Sequence, residues 1–185
     1  MLKRRHLLVA GLAAPLALHA DERTAALLRT GGVVIALRHA LAPGTFDPPG
    51  FKLGDCSTQR NLSEEGREQA RRIGAWMRQQ KLTPAAVRSS PWCRCVDTAT
   101  LAFGQAEAWA ALSSPTGAPD DQRQARLALL QAALKTVPAG RFEAWVTHQF
   151  VLADLAGTST ASGEALVLRA GGSNGIEVLS KVMLG

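Results

Sequence analysis

The run Val33-Val34-Ile35-Ala36-Leu37, directly after Gly31-Gly32, constrains the fold of this chain more than any other feature. Five consecutive apolar residues predict a strand buried on both faces, which is typical of a mostly parallel sheet covered by helices on both sides. Residues 85–87 predict a short second strand, residues 108–112 a third, residues 142–146 the next central strand, and residues 165–169 and 176–179 the closing strands.

Helical patterns alternate with these strands. Ser63 is a predicted N-cap, followed by Glu64 and Glu65 in the first turn of a helix. Ser90-Pro91 predicts the N-cap and first residue of a second helix that ends near Phe103. Residues 122–136 predict a third helix, and residues 40–60 and 113–121 are loops. The alternation predicts one α/β domain, a three-layer α/β/α sandwich with a mostly parallel central sheet, over residues 21–185.

The first 20 residues have the pattern of a signal peptide. Lys3, Arg4 and Arg5 precede an apolar run over residues 7–18, and Ala20 offers a cleavage site before charged residues. The adjacent arginines resemble a twin-arginine export signal. We therefore expect a periplasmic or secreted protein without a stable membrane span after cleavage. An uncleaved N-terminal anchor is the alternative.

The charge of the chain depends on this segment. The formal net charge is +6, and removal of the three basic residues near the N-terminus lowers it to +3. No run of lysine and arginine with interleaved aromatic residues follows, so a nucleic-acid partner is not expected. A small anionic ligand fits this mild positive charge.

Three cysteines, Cys56, Cys93 and Cys95, leave the redox state open. In an oxidising compartment, Cys56 would pair with either of the other two, leaving one thiol. The alternative is three reduced, partly buried cysteines.

Two histidines remain after residue 20, and each follows a predicted buried strand. His39 comes after Leu37-Arg38, and His148 comes after Val146-Thr147. Ligands of open α/β sheets bind at the carboxyl ends of the strands, so the two histidines are expected to face one crevice.

Arginines accompany the histidines. Arg38 precedes His39, and Arg94 lies one turn into the helix that Ser90-Pro91 is predicted to start. A helix N-terminus and an arginine fork both favour phosphate oxygens. Taken singly, each of these residues has a more common structural role, so the prediction of a phosphoryl site depends on their combination.

Four segments resemble the histidine phosphatase superfamily, also called phosphoglycerate mutase-like, and they occur in the family's order. Leu37-Arg38-His39-Ala40 resembles its Arg-His-Gly motif, and Val146-Thr147-His148 resembles the Val-Ser-His that carries the second histidine. The helix motif Pro-Leu-Thr-x-x-Gly-x-x-Gln-Ala is similar to residues 61–70, and Ser-Ser-Pro-x-x-Arg-x-x-x-Thr-Ala is similar to residues 89–99.

The resemblance implies a role for each matching residue. His39 would be the catalytic nucleophile that takes the phosphoryl group as a phosphohistidine, with His148 as its catalytic partner. Arg38, Arg94 and His148 would bind the transferring oxygens, and Arg60 is a further possible phosphate contact, although a surface role fits it equally. No cofactor and no metal are expected, because these cations supply the positive charge.

The sequence also departs from the family pattern. Ala40 and Gln149 replace the glycines that usually follow the two histidines. The family's proton-donating acid, where present, follows the third strand, and this region offers Glu107, Asp120 and Asp121. No motif selects one of the three, and Asp121 is the preferred candidate.

The leading hypothesis is hydrolysis of a phosphate monoester, either a small metabolite or a cell-surface phosphate ester, outside the cytoplasm. The alternative is a binding module on the same fold that takes phosphate or sugar phosphate without turnover. A zinc site built from His39, His148, Asp55 and the cysteines is disfavoured, because the sequence contains neither Cys-x-x-Cys nor His-Glu-x-x-His.

Overall fold

The computed structural model describes residues 14–172 and 175–184, with side chains from residue 21 onward. In chain order its elements are α1 (Ala14–Thr30), β1 (Val33–Arg38), α2 (Glu64–Gln79), β2 (Ala86–Ser89), α3 (Cys93–Phe103), β3 (Glu107–Ala108), α4 (Asp120–Lys135), β4 (Phe142–Thr147), α5 (Gln149–Ala156), β5 (Glu164–Ala170) and β6 (Ile176–Met183). Short 3₁₀ turns occupy Cys56–Thr58 and Ala110–Leu112.

The strands form one six-stranded sheet in the order β3-β2-β4-β1-β5-β6. The pairs β3–β2, β2–β4 and β4–β1 are parallel, whereas β5 pairs antiparallel with β1 and with β6. The predicted α/β sandwich is confirmed, with a sheet that is parallel in the half carrying β1 and β4. The closing strands form an antiparallel hairpin because only a short connection through Gly171-Gly172 separates them.

Strand β1 shows how the sheet is covered on both faces. Val33, Ile35 and Leu37 pack in the cluster that includes α1, α2 and α3, whereas Val34 and Ala36 pack in the cluster that includes α4 and α5. Successive side chains of a strand point to opposite faces. The continuous apolar run is therefore required by the two helical layers.

The helix starts agree with the sequence at one position and differ at another. Ser63 caps α2, since its Oγ accepts a hydrogen bond from the Gly66 backbone N–H at 3.1 Å. The prediction that Ser90 caps α3 is wrong: the helix begins at Cys93, and Trp92 occupies the cap position. Ser90 instead lies 2.8 Å from a histidine ring through its Oγ, so its hydroxyl serves the pocket rather than the helix.

The segment after α3 also differs from its prediction. The third strand is limited to two residues of β3, and residues 110–112 turn into a 3₁₀ helix. Helix α4 begins at Asp120, two residues before the predicted start, and α5 follows His148 without having been predicted. A two-residue strand and an eight-residue helix are too short for periodicity to detect.

The chain immediately after Ala20 is part of the domain. Helix α1 runs through Ala20 without a break. Its residues Ala25 and Leu28 are buried, and Thr24 Oγ1 lies 2.9 Å from Ser180 Oγ. Residues 1–13, which carry most of the predicted signal peptide, lie outside the described residues. Within the described part of the chain, no helix is long and apolar enough to cross a bilayer.

Candidate active site

The parallel pairing of β1 with β4 brings the two histidines together. Arg38 pairs with Thr147 in the register, and the His39 backbone N–H donates to the Thr147 carbonyl at 2.9 Å. His39 and His148 therefore follow neighbouring strands at the same edge of the sheet. Their ring centroids are 5.6 Å apart, with the ring planes at 72°.

His39 is held as a neutral imidazole with one free nitrogen. Its Nδ1 lies 2.8 Å from the Ala40 carbonyl oxygen. Because a carbonyl only accepts, Nδ1 carries the proton and Nε2 keeps its lone pair. Burial lowers the pKa of His39 to about 3, against the effect of the Ala40 hydrogen bond, and the charges of Arg94, Arg60 and Arg38 lower it further. The geometry suits a nucleophile at Nε2.

His148 is also neutral and buried. Its Nε2 lies 2.8 Å from Ser90 Oγ, and the Cys95 thiol is 3.6 Å away. Burial, followed by the proximity of His39 and Arg94, holds the pKa of His148 well below its ordinary value. With the Ser90 hydroxyl as donor, the ring proton lies on Nδ1, and His148 retains an N–H for an anion.

Arg94 is buried at the start of α3, with 4% of its surface exposed, and it faces a carboxylate that the sequence did not predict. Its Nη1 and Nη2 donate to the two oxygens of Asp47 at 2.8 and 3.1 Å. Burial raises the pKa of Asp47, but hydrogen bonds from Arg94 and from the Arg60 backbone outweigh it, so the pKa is below its usual value. Asp47 is therefore an anion.

Three arginine side chains line the pocket. Arg38 donates through Nη1 to the Thr160 carbonyl at 2.8 Å, and Arg60 donates through Nη1 to carbonyls of the loop after β1. The Nε atoms of Arg38, Arg60 and Arg94 are buried, and none has a hydrogen-bond partner among the described residues. Arg88, which does not line the pocket, also has a buried Nε without a hydrogen-bond partner, so the indication of an anion site comes from charge: three guanidinium groups face one carboxylate among the described residues that line the pocket.

Thr98 connects the arginine helix to the nucleophile's loop. Its Oγ1 accepts from the Ala40 N–H at 3.0 Å and donates to the Arg94 carbonyl at 2.7 Å. The threonine of the motif in residues 89–99 thus fixes the chain next to His39 relative to α3.

Gly66 and Gln69 of α2 contact Leu41, which belongs to the loop that follows His39. Gln69 accepts from the Leu41 N–H through Oε1 at 3.0 Å and donates from Nε2 to the Ser162 carbonyl at 2.8 Å. A Cβ on Gly66 would lie 2.0 Å from the Leu41 carbonyl oxygen, so only glycine permits this close approach. The helix motif in residues 61–70 is therefore a support for the loop that carries His39.

These residues enclose a pocket of about 340 Å³ at the carboxyl ends of β1 and β4. Among the predicted residues, Arg38, His39, Arg60, Arg94, His148 and Gln149 line it. The pocket is also lined by residues that the sequence analysis did not select, namely Gly44, Thr45, Phe46, Asp47, Phe51, Trp92, Ser114, Thr116 and Phe150.

The predicted acids lie elsewhere. Glu107 is exposed in β3, and Asp120 and Asp121 are exposed in the first turn of α4. The loop before α4 passes the pocket with Ser114 and Thr116, and the helix begins only beyond it. The structure therefore does not bring Asp121, the predicted proton donor, to the site. Asp47 stands in a Gly/Pro-rich loop without a motif, so no sequence signal selected it.

The cysteines resolve the open pairing. Cys56 and Cys93 form a disulfide that ties the loop after β1 to the start of α3, while Cys95 is a buried free thiol. Burial raises the pKa of Cys95 to about 12, and Asp55 caps the Ser57 N–H. These residues are thus committed to structural roles, and the described residues contain no group of three or more His, Cys, Asp or Glu arranged to hold a metal ion.

Comparisons with known families and structures bear on the fold of the chain. The model of the histidine phosphatase superfamily (branch 1) matches residues 52–114, which include α2, β2 and Arg94 but neither histidine. No curated protein sequence matches the chain significantly.

Solved structures match most of the chain. The protein histidine phosphatase SixA, solved with tungstate, shares 19% identity over 82% of this chain and 96% of its own, with a TM-score of 0.57. A mycobacterial glucosyl-3-phosphoglycerate phosphatase solved with VO3 shares 15% identity over 83% of this chain and 99% of its own, with a TM-score of 0.58. The fold is that of the histidine phosphatases. A phosphoserine phosphatase from Entamoeba histolytica, solved with phosphoserine, shares 14% identity over 80% of this chain and 95% of its own, at a TM-score of 0.56.

The buried neutral state of His39 predicts a pH-dependent stability. Its folded pKa of about 3 lies below the ordinary 6.5, so between these values the unfolded chain binds more protons, and the free energy of unfolding falls as the pH is lowered. From pH 7 to pH 5 this histidine should lower the free energy of unfolding by roughly 2 kcal/mol. Urea unfolding at both pH values should show that the free energy of unfolding falls less for His39→Gln than for the unchanged protein.

Between pH 8 and pH 9 neither state of this histidine titrates, so the stability curves of the two proteins should run parallel there. Equal losses from pH 7 to pH 5 would mean that His39 is protonated as easily in the folded protein as in the unfolded chain.

Proposed function

We propose that this protein is a phosphatase that hydrolyses phosphate monoesters through a phosphohistidine at His39. The observation that carries the proposal is the unprotonated Nε2 of His39 in a pocket that three arginines line, with one carboxylate among its described lining residues. Phosphoryl transfer needs little more than an aligned nucleophile and fixed positive charge on the transferring oxygens.

Each group has a definite task in this reaction. Nε2 of His39 attacks phosphorus while its Nδ1–H remains bound to the Ala40 carbonyl, which holds the ring in place and stabilises the charge that develops on it. Arg38, Arg60 and Arg94 line the pocket, and their guanidinium groups bind the phosphoryl oxygens. His148 adds a neutral donor from the neighbouring strand.

The comparisons support the same reaction without selecting a substrate. The names of the similar structures specify protein histidine phosphate, phosphoserine and glucosyl-3-phosphoglycerate as different substrates. Tungstate and VO3 in two of them are oxyanions that resemble phosphate. We propose a small-molecule or cell-surface phosphate ester as the substrate class here.

A second candidate is a module that binds phosphate without turnover. The observation in its favour is the carboxylate of Asp47, which already occupies both Nη atoms of Arg94. Turnover and covalent labelling separate this candidate from the enzyme.

Replacement of His39 by alanine should abolish phosphatase activity, by about a thousand-fold or more in kcat/KM, because the nucleophile is lost. Rapid quenching of the unchanged protein with ³²P-labelled substrate should trap label that is stable to alkali and released by acid, as expected of phosphohistidine. Arg67→Gln, which removes an arginine paired with Asp97 outside the pocket, is the control and should retain activity.

Activity that survives His39→Ala would refute the phosphohistidine route. Phosphate binding by the unchanged protein without any turnover would favour the binding module instead.

We also propose that the protein is exported, with residues 1–20 as its signal peptide. The disulfide between Cys56 and Cys93 supports this proposal, because disulfides persist in oxidising compartments outside the cytoplasm. The basic start and apolar run of the N-terminal segment support it independently.

Residues 1–30 fused to a β-lactamase lacking its own signal should make a bacterial host resistant to ampicillin, because the reporter acts only after export. The same fusion without residues 1–20 should not. Replacing both Arg4 and Arg5 by lysine tests the twin-arginine route. Ampicillin sensitivity of cells that carry the intact fusion would contradict export.

A further inference from the structure

Among the described residues that line the pocket, the one carboxylate belongs to Asp47 in the loop after β1. Its side chain is 10% exposed. Oδ1 accepts from Arg94 Nη1 at 2.8 Å and from the Arg60 backbone N–H at 3.0 Å, while Oδ2 accepts from Arg94 Nη2 and from Trp92 Nε1, both at 3.1 Å. Four hydrogen bonds therefore fix the carboxylate against the phosphate-binding arginine.

Asp47 and a substrate compete for the same atoms. An arginine binds phosphate most strongly through two parallel N–H donors, and both Nη atoms of Arg94 are taken by Asp47. The Nε of Arg94 is buried, and two of the three guanidinium nitrogens are needed, so bidentate binding of phosphate requires at least one Nη that Asp47 now holds. Binding of the phosphoryl group thus weakens the ion pair.

We propose, on the basis of the phosphatase function above, that Asp47 is the proton donor to the leaving group, and that it takes up its proton when the substrate's phosphate replaces it on Arg94. The loop carrying Asp47 is an outer wall of the pocket, since the adjacent Phe46 is 67% exposed. In-line transfer requires the leaving oxygen to lie opposite His39 Nε2, and the proposal places it on the side of the pocket that this loop lines.

The charges around Asp47 explain the change of state. In the empty pocket Arg94 and Arg60 face it, and the pKa of Asp47 lies below its usual value. Arg38 and the two neutral histidines face it across the pocket. Once a phosphate dianion holds Arg94, the carboxylate lies half-desolvated beside a negative group with its strongest partner weakened, and both changes raise its pKa.

The proton balance of the two steps is complete. In the first step, the bond between His39 Nε2 and phosphorus forms, the bond from phosphorus to the ester oxygen breaks, and the Asp47 proton moves to that oxygen. In the second step, water attacks phosphorus, the phosphorus–nitrogen bond breaks, and a water proton passes to the Asp47 carboxylate. Inorganic phosphate then leaves, Asp47 returns to solvent the one proton that it took up when the substrate bound, and the ion pair with Arg94 re-forms.

The test compares leaving groups in Asp47→Asn. Glycerol phosphate releases an alkoxide that needs a proton, whereas p-nitrophenyl phosphate releases a stable phenolate that does not. We expect kcat for glycerol phosphate to fall about a hundred-fold and kcat for p-nitrophenyl phosphate to fall only a few-fold. Asp47→Glu should recover part of the lost rate. Asp97→Asn, which removes an acid paired with Arg67 outside the pocket, should change neither rate.

A second readout is proton uptake when inorganic phosphate binds, measured by calorimetry at pH 8 in two buffers of different ionisation enthalpy. The unchanged protein should take up more protons than Asp47→Asn, and the variant should bind phosphate several-fold more tightly because the competing anion is gone. Equal losses for both substrates, or equal proton uptake, would reduce Asp47 to a structural residue. In that case the phosphatase function, shown by turnover that depends on His39, would be unaffected. Absence of any turnover would instead refute the proposed function.

Aromatic side chains are concentrated around the pocket. The chain has five Phe, four Trp and no Tyr, and four of these nine aromatic residues, Phe46, Phe51, Trp92 and Phe150, line the pocket. Phe46 and Phe150 are 67% and 48% exposed, although both are large apolar side chains. They also border an adjoining recess, together with Pro115, Thr116 and Arg123.

We infer that this aromatic rim, defined as Phe46 and Phe150, binds a flat aromatic ring on the leaving group of the substrate. The rim is continuous with the phosphate pocket, so a ring attached to the transferring phosphate reaches it. Exposed phenylalanines lose unfavourable contact with water when a ring stacks on them.

Adenosine 5′-phosphate and ribose 5-phosphate test this inference, because they share the phosphate and the primary alkoxide and differ mainly in the base. The unchanged protein should prefer the nucleotide about ten-fold in kcat/KM, and Phe46→Ala or Phe150→Ala should remove this preference by lowering kcat/KM about ten-fold more for the nucleotide than for ribose 5-phosphate. Leu129→Ala, at an exposed leucine outside the pocket lining, is the control. Equal use of both substrates, or a preference for glucose 6-phosphate that the variants abolish, would overturn the inference.

Discussion

The in-register parallel pairing of β1 with β4 is the constraint on which the site depends. The hydrogen bond from the His39 backbone to the Thr147 carbonyl, 2.9 Å long, continues the ladder one residue beyond the strands. It places two imidazoles side by side at one edge of the sheet, with centroids 5.6 Å apart. A shift of one residue in this register would turn one histidine to the opposite face and separate the pair.

Electrostatics follow from this placement. Two imidazoles that are buried close together beside three arginines are neutral, because each added positive charge would lack solvent and a counter-ion. Neutrality leaves His39 Nε2 nucleophilic, and the surrounding guanidinium groups keep the positive charge that a phosphoryl group requires. Asp47 supplies the single negative charge among the described pocket residues and balances Arg94 while the pocket is empty.

Local patterns in the sequence predicted the parts of the molecule that local interactions determine. The apolar run of β1 and the Ser63 cap of α2 were readable because burial on two faces and an unpaired helix N–H each favour particular residue types. The two histidines and Arg94 were found because strand ends and motif order indicate position.

The parts that the sequence did not yield depend on long-range contacts. Asp47 meets Arg94 across 47 positions of the chain, and its loop carries no periodic pattern. Ser90 was assigned to a helix cap because its partner, His148, lies 58 residues away in sequence. Asp121 was chosen from its place in the chain order, whereas the path of the 113–119 loop determines that α4 begins beyond the pocket.

A crystal structure of the protein with vanadate would show which side chain is the nucleophile, since vanadium adopts the five-coordinate geometry of phosphorus during transfer. Vanadium should be bonded to His39 Nε2, with its equatorial oxygens accepting hydrogen bonds from Arg38, Arg60, Arg94 and His148. Vanadate bonded to His148, or bound outside this pocket with His39 Nε2 unoccupied, would contradict the phosphohistidine route.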